Sequence, residues 1–295
     1  MRVTSRLLSC GDRQQQRRQR GTDRDAPEGA LGDVPGAPAT IRDAGFTGEA
    51  VASVAPSGAT GEPGGLRGSH AASVEDVRAL LGLLAYTELT AFTRLAESSS
   101  QAPGLHERLR LARRASNAVE RQEWVLARIE ELGGDPEAEV AAFDRTYADY
   151  NDRTTPGSWW ERLLKGYVGH GVADDFCRLA VDGLDDRSRE VVLEVIRGGE
   201  SDERSVAVLS AAAEADEVLA SRLALWGRRL VGEALGVAQT LMTSRPALAR
   251  LVADGAARRG VGGVDPSSPA EHVPWVLGQL TAEHTRRMGR LGLTA

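Results

Sequence analysis

The sequence predicts an all-α bundle, two helical hairpins joined by one long crossover, with additional helices at the C-terminal end. Three observations carry this. From Ser73 onward apolar residues recur with the helical period of about 3.6, no useful run alternates as a strand would, and the breaks between periodic stretches are short, long, then short again. The composition agrees, because 41% of the 295 residues are hydrophobic but only 4% are aromatic, which leaves Leu, Val and Ala to build the core.

Residues 1–72 precede the bundle. Six arginines and one acid stand among the first 20 residues, and Gly, Ala, Pro and Asp dominate as far as Ser69. Such a chain buries too little apolar surface to offset its ordering entropy, so residues 1–72 are expected to be a disordered tail. The arginines also fit a nucleic-acid arm, a transit peptide or a leader from an upstream start codon.

Helix one opens at Ser73, which with Asp76 three residues on resembles a capping box, and continues through Leu80, Leu81, Leu84, Leu89, Phe92 and Leu95. Pro103-Gly104 breaks it. Helix two, about residues 106–132, carries Leu111, Ala115, Ala118, Gln122, Val125 and Ile129 on one face and stops at Gly133-Gly134. Asp135-Pro136 opens a crossover that leaves at Pro156. Helices three (about 158–181) and four (about 187–213) form the second hairpin, and helix five runs to about Ser244. Hairpin, crossover, hairpin is the connectivity of ferritin-like four-helix bundles. Residues 73–244 are therefore assigned to the bundle, and 245–295, with two more helical stretches, to an extension packed on it.

The net charge of −6 excludes generic electrostatic binding of nucleic acid by the whole chain, leaving only local basic faces. Arg108, Arg110, Arg113 and Arg114 form one such band, and Arg286, Arg287 and Arg290 another. Solvated helix faces account for both more simply than phosphate contacts do. No apolar run is long enough to span a membrane and no secretory h-region is present. Cys10 and Cys177 have neither disulfide-framework nor zinc spacing. The expectation is a cytoplasmic, soluble protein.

In a bundle of this kind, metal sites are built from inward carboxylates and Glu-x-x-His pairs. Glu88 falls in the apolar stripe of helix one. Asp175 lies on the buried face of helix three, with Asp174 at its edge, and Glu203 shares a face with Val192 and Ile196 of helix four. An acid on an apolar face needs a partner, so Glu88, Asp175 and Glu203 are the candidate metal ligands. The same three acids fit a buried, hydrogen-bonded or ion-paired cluster equally well. On helix two Glu120 points nearly opposite the stripe and Glu123 lies on its flank, and no histidine sits inward on helices one, two or four. Arg229 and Glu233, one turn apart, fit an ion pair. No phosphate loop, dinucleotide fingerprint, nucleophile elbow or HExxH motif is present.

The segments Leu83-Leu-Ala-Tyr-Thr-Glu-Leu-Thr-Ala-Phe92, Leu164-Lys-Gly-Tyr-Val-Gly169, Asp175-Phe176 and Leu223-Ala-Leu-Trp-Gly-Arg-Arg-Leu-Val-Gly-Glu-Ala234 resemble the actinobacterial ferritin-like proteins grouped with the tRNA methylthio-isopentenyl-adenosine hydroxylase. The resemblance covers nearly all of residues 73–295. It implies a non-haem di-iron oxygenase fold with Glu88, Asp175 and Glu203 at acidic ligand positions. It also places the family's helix-two Glu-x-x-His on Ala118 and Arg121, and the helix-four His on Ser201. The first reading is thus an iron-dependent oxygenase related to the tRNA hydroxylases, with tRNA as partner. The alternative is a metal-free, non-catalytic helical scaffold or partner of a metal-bearing paralogous subunit. Assembly as a homo-oligomer is compatible with both, and iron storage ranks below them.

Overall fold

The computed structural model describes residues 72–199, 203–261 and 269–295, with only the backbone of residues 269–271. All of these lie in the unit Gly64–Ala295. Residues 1–71 of the predicted tail, with His70, and residues 200–202, with Glu200 and Ser201, are outside the described residues.

Helix α1, Val74–Ser100, begins where expected: the Ser73 hydroxyl accepts the Asp76 N–H at 3.1 Å. The reciprocal half of the box is replaced, because the Asp76 carboxylate accepts from Arg250 instead (Nε–Oδ2 3.0 Å) and ties the start of α1 to a C-terminal helix. Helix α2, Leu105–Glu131, returns antiparallel and stops at Gly133, whose φ of 71° suits glycine and turns the Gly133 and Gly134 N–H groups back onto Glu130 and Ile129.

The crossover holds two short helices, α3 (Pro136–Ala141, capped by Asp135) and α4 (Ala148–Arg153). Between them Phe143 is buried in the core. Helix α5, Trp159–Ala180, starts on a variant of the capping box: Ser158 Oγ accepts the Glu161 N–H, and the Glu161 carboxylate accepts the N–H of Gly157, the residue before the cap, at 2.7 Å.

After a 3₁₀ turn at Val181–Gly183 the predicted helix four is described as α6 (Asp186–Gly199) and α7 (Glu203–Ala215), on either side of residues 200–202. The last described residues of α6 are Gly198-Gly199, each costing about 1 kcal/mol relative to Ala inside a helix. The Gly198 carbonyl accepts from Arg121 at 3.1 Å. Helix α8 is Glu217–Ser244, α9 Pro246–Arg258 and α10 Pro269–Gly289. No strand occurs among the described residues, and no helix there is long and apolar enough to cross a membrane.

The boundary drawn at residue 244 does not divide the core. Leu248, Leu251 and Val252 of α9 and Val276, Leu280 and Met288 of α10 are fully buried in the same cluster as Leu80, Leu81 and Leu84 of α1 and Leu164 and Val168 of α5. Leu89 and Phe92 leave the predicted stripe of helix one, at 39% and 38% exposure.

Candidate ion-paired core and arginine-lined cavity

The core of the first hairpin changes character one turn beyond Leu84. Glu88 of α1 is 1% exposed, and the residue facing it from α2 is Arg121, itself 6% exposed. Gln122 Nε2 donates to the Ala85 carbonyl at 3.1 Å, which fixes the register of the two helices here. Arg121 then places Nη2 and Nε at 2.7 and 3.1 Å from Glu88 Oε2, while Nη1 donates to Gly198. Burial raises the Glu88 carboxyl above its ordinary acid range, with the Arg121 charge opposing.

Two groups of α5 approach the other oxygens. His170 Nε2 lies 3.8 Å from Glu88 Oε1 and 3.7 Å from Asp174 Oδ2, beyond hydrogen-bond length. Burial, then the charges of Arg94, Arg121, Arg114 and Arg287, push the imidazole well below its usual range, so it is neutral. Asp174 is buried, its Oδ1 has no hydrogen-bond partner, and burial followed by the Glu88 charge raises it well above a normal aspartate. Asp175 turns the other way and is held by Arg287 Nη2 (2.7 Å) and Arg178 Nη1 (3.3 Å).

The three predicted ligands therefore do not meet. Glu88 is committed to Arg121, Asp175 to Arg287 and Arg178, and Glu203 is the exposed first residue of α7 rather than an inward residue on the face of Val192 and Ile196. The residues closest to Glu88 are Arg121, His170 and Asp174. They do not fit iron: a guanidinium has no lone pair to donate, carries a permanent positive charge and sits on the carboxylate that would have to coordinate. Among the described residues no group of three or more His, Cys, Asp or Glu is placed to hold a metal.

Beside this cluster lies a cavity of about 450 Å³. Its described lining includes seven arginines against four carboxylates. Arg94 of α1, Arg114 of α2, Arg286 and Arg287 of α10 and Arg290 just beyond it all line the cavity, so each basic band contributes to it, while Arg108, Arg113, Arg286 and Arg290 are also exposed as solvated helix faces would be. The crowding is felt by its neighbours. Arg114 is lowered to about 10 by burial and then by Arg94, Arg110 and Arg121. Lys165, behind Arg94, is lowered to about 8 by burial and then by Arg94 and Arg162.

Glycines make room for these side chains and for their neighbours Arg121 and His170. A Cβ on Gly166 would overlap the Arg94 guanidinium, one on Gly171 that of Arg287, one on Gly198 would lie 2.9 Å from Arg121 Cδ, and one on Gly199 2.7 Å from His170 Nε2.

With this geometry established, the comparisons add ancestry. The family model for the ferritin-like domain of actinomycetes matches residues 72–255. The chain belongs to that family. None of the curated proteins compared matches it. As a ferritin-like protein of actinomycetes it keeps the helical frame, with Ala118 fully buried on α2 and Arg121 one turn further along.

Several side chains escaped the sequence reading. Arg121 lies about 80° from the centre of the helix-two stripe by helical geometry, so periodicity assigns it to a flank, yet its long side chain reaches inward. The available signal was Glu88 itself, an inward acid that required a cation from the facing helix. Asp174 was placed at an edge and is more buried than Asp175, at 4% against 7%. The predicted Arg229–Glu233 pair is not formed: Glu233 bonds Arg153 at 3.3 Å, and Arg229 lies over the Trp226 ring.

Proposed function

We propose that this ferritin-like protein works as a metal-independent, non-catalytic helical scaffold. The observation that carries the reading is the Arg121 guanidinium on Glu88, seated at one of the two helix-two positions where the resemblance implies a Glu-x-x-His pair. Arg121 supplies the positive charge that an inward carboxylate requires, and Gly198 supplies both space and a carbonyl acceptor for it. The oxygenase reading would require Glu88 to exchange this partner for a metal, with no donor from Ala118 to help.

Elemental analysis of the purified full chain, expressed with iron and manganese supplied, tests this. Metal at background level is expected, together with an unfolding midpoint that a chelator leaves unchanged. One equivalent of iron or manganese per chain, removed by chelator with loss of stability, would return the protein to the metal-dependent oxygenases.

A further inference from the structure

The cavity beside the ion-paired core is more than a by-product of that core. Its volume, about 450 Å³, falls within the roughly 300–1,000 Å³ typical of small-molecule sites. Its described wall combines guanidinium groups with the apolar side chains of Leu95, Leu111 and Leu163. Two guanidiniums matter most. Among the described residues no carboxylate lies within ion-pair distance of Arg94, whose guanidinium comes up against α5 where Gly166 has no Cβ. Arg287, laid against Gly171, uses Nη2 on Asp175 but leaves its buried Nη1 without a hydrogen-bond partner.

Gly166 and Gly171 are five residues apart on one helix, a rise of about 7.5 Å. They also differ by about 140° around the helix, and what brings the two guanidiniums together is the cavity that both of them line. The carboxylates leave them short of negative charge: Asp175 is shared between Arg287 and Arg178, and Glu283 pairs with Arg286. Planar forks of N–H donors bind phosphoryl oxygens in pairs, more strongly than neutral donors do.

We propose that this cavity is a binding site for a small organic diphosphate, one phosphoryl group taken by Arg94 and the other by Arg287. The apolar wall formed by Leu95, Leu111 and Leu163 receives the organic part. The site does not depend on the metal-independent reading, because Arg94 and Arg287 line the cavity whatever Glu88 holds.

Titration calorimetry of the full chain with inorganic pyrophosphate, inorganic phosphate, citrate and adenosine 5′-diphosphate tests the proposal. One pyrophosphate per chain is expected, at least tenfold tighter than phosphate or citrate, with adenosine diphosphate tighter still and competing with it. Arg94→Met should weaken pyrophosphate at least tenfold, the loss of one charge-assisted fork. Arg187→Met, which removes an equal charge from the far surface of α6, should change binding less than twofold. Gly166→Ala gives a second route should Arg94→Met fold poorly, since it favours the helix while pushing the Arg94 guanidinium aside, and it too should weaken binding. Absence of saturable pyrophosphate binding in the millimolar range would overturn the proposal. So would an equal loss in Arg187→Met, citrate binding as tightly as pyrophosphate, or binding of an RNA oligonucleotide that pyrophosphate does not displace.

Discussion

Helix α1 runs through two interiors. From Leu80 to Ala85 every residue is buried, and side chains such as Leu80, Leu81 and Leu84 pack with Val125, Ile129 and Phe143 in an ordinary dry core. From Glu88 to Leu95 the same helix faces Arg121 and His170 and contributes Arg94 to a cavity wall. At the first end stability comes from burial, which is nondirectional and depends on volume. At the second it depends on each charge keeping its partner, because removing one partner of a buried pair strands the other.

The largest effect should come from breaking that pair alone. Arg121→Ala is expected to destabilise by about 3–5 kcal/mol, read from denaturant midpoints at constant m-value. Glu88→Leu combined with Arg121→Met should recover most of this, since an apolar pair of similar volume is often neutral or stabilising where an ion pair was buried. If the double variant is as unstable as Arg121→Ala, the two ends differ less than stated. Leu81→Ala at the dry end should cost about 2–5 kcal/mol, with no single second substitution restoring it.

Acid should act on a third place. His284 of α10 is 1% exposed, neither ring nitrogen has a hydrogen-bond partner, and burial followed by the Arg287 charge lowers it to about 4. Between about pH 4 and 6.5 the unfolded chain therefore binds the proton more readily than the folded one, so stability is lost as pH falls through that window. The loss should be on the order of 1–3 kcal/mol, and His284→Leu should flatten this part of a stability-against-pH curve. Smallest is Ser73→Ala, expected to cost about 1 kcal/mol through the lost cap of α1. Thermal melts resolve this, and a change no larger than the scatter between repeats would show that the Asp76–Arg250 tie alone holds the helix start.

The same contrast explains what the sequence made legible. Helix starts at Ser73 and Ser158, the stop at Gly133 and the long crossover follow from local chemistry and periodicity, and each stands within a residue or two of its expected place. The Arg121 contact with the Gly198 carbonyl was not legible, because nothing local to Gly198-Gly199 announces a guanidinium arriving from α2. Nor was the fate of Glu88, Asp175 and Glu203. Periodicity assigned Glu88 and Asp175 correctly to the interior, but which cation each meets is settled by side chains as long as Arg121 and Arg287, whose reach of several ångströms crosses the boundary between flank and core. Of the 36 basic residues 35 are arginine, so nearly every positive charge has that reach and a fork of donors at its end.

Arg121 on Glu88 also bears on how the protein matures. A metal that neutralises a buried carboxylate must be delivered, competes with other metals and leaves when a chelator binds it more tightly. A guanidinium is delivered with the chain. The charge of Glu88 is met as α1 and α2 close on each other, in the same event that forms the hairpin, so the neutralisation of this carboxylate needs no separate loading step.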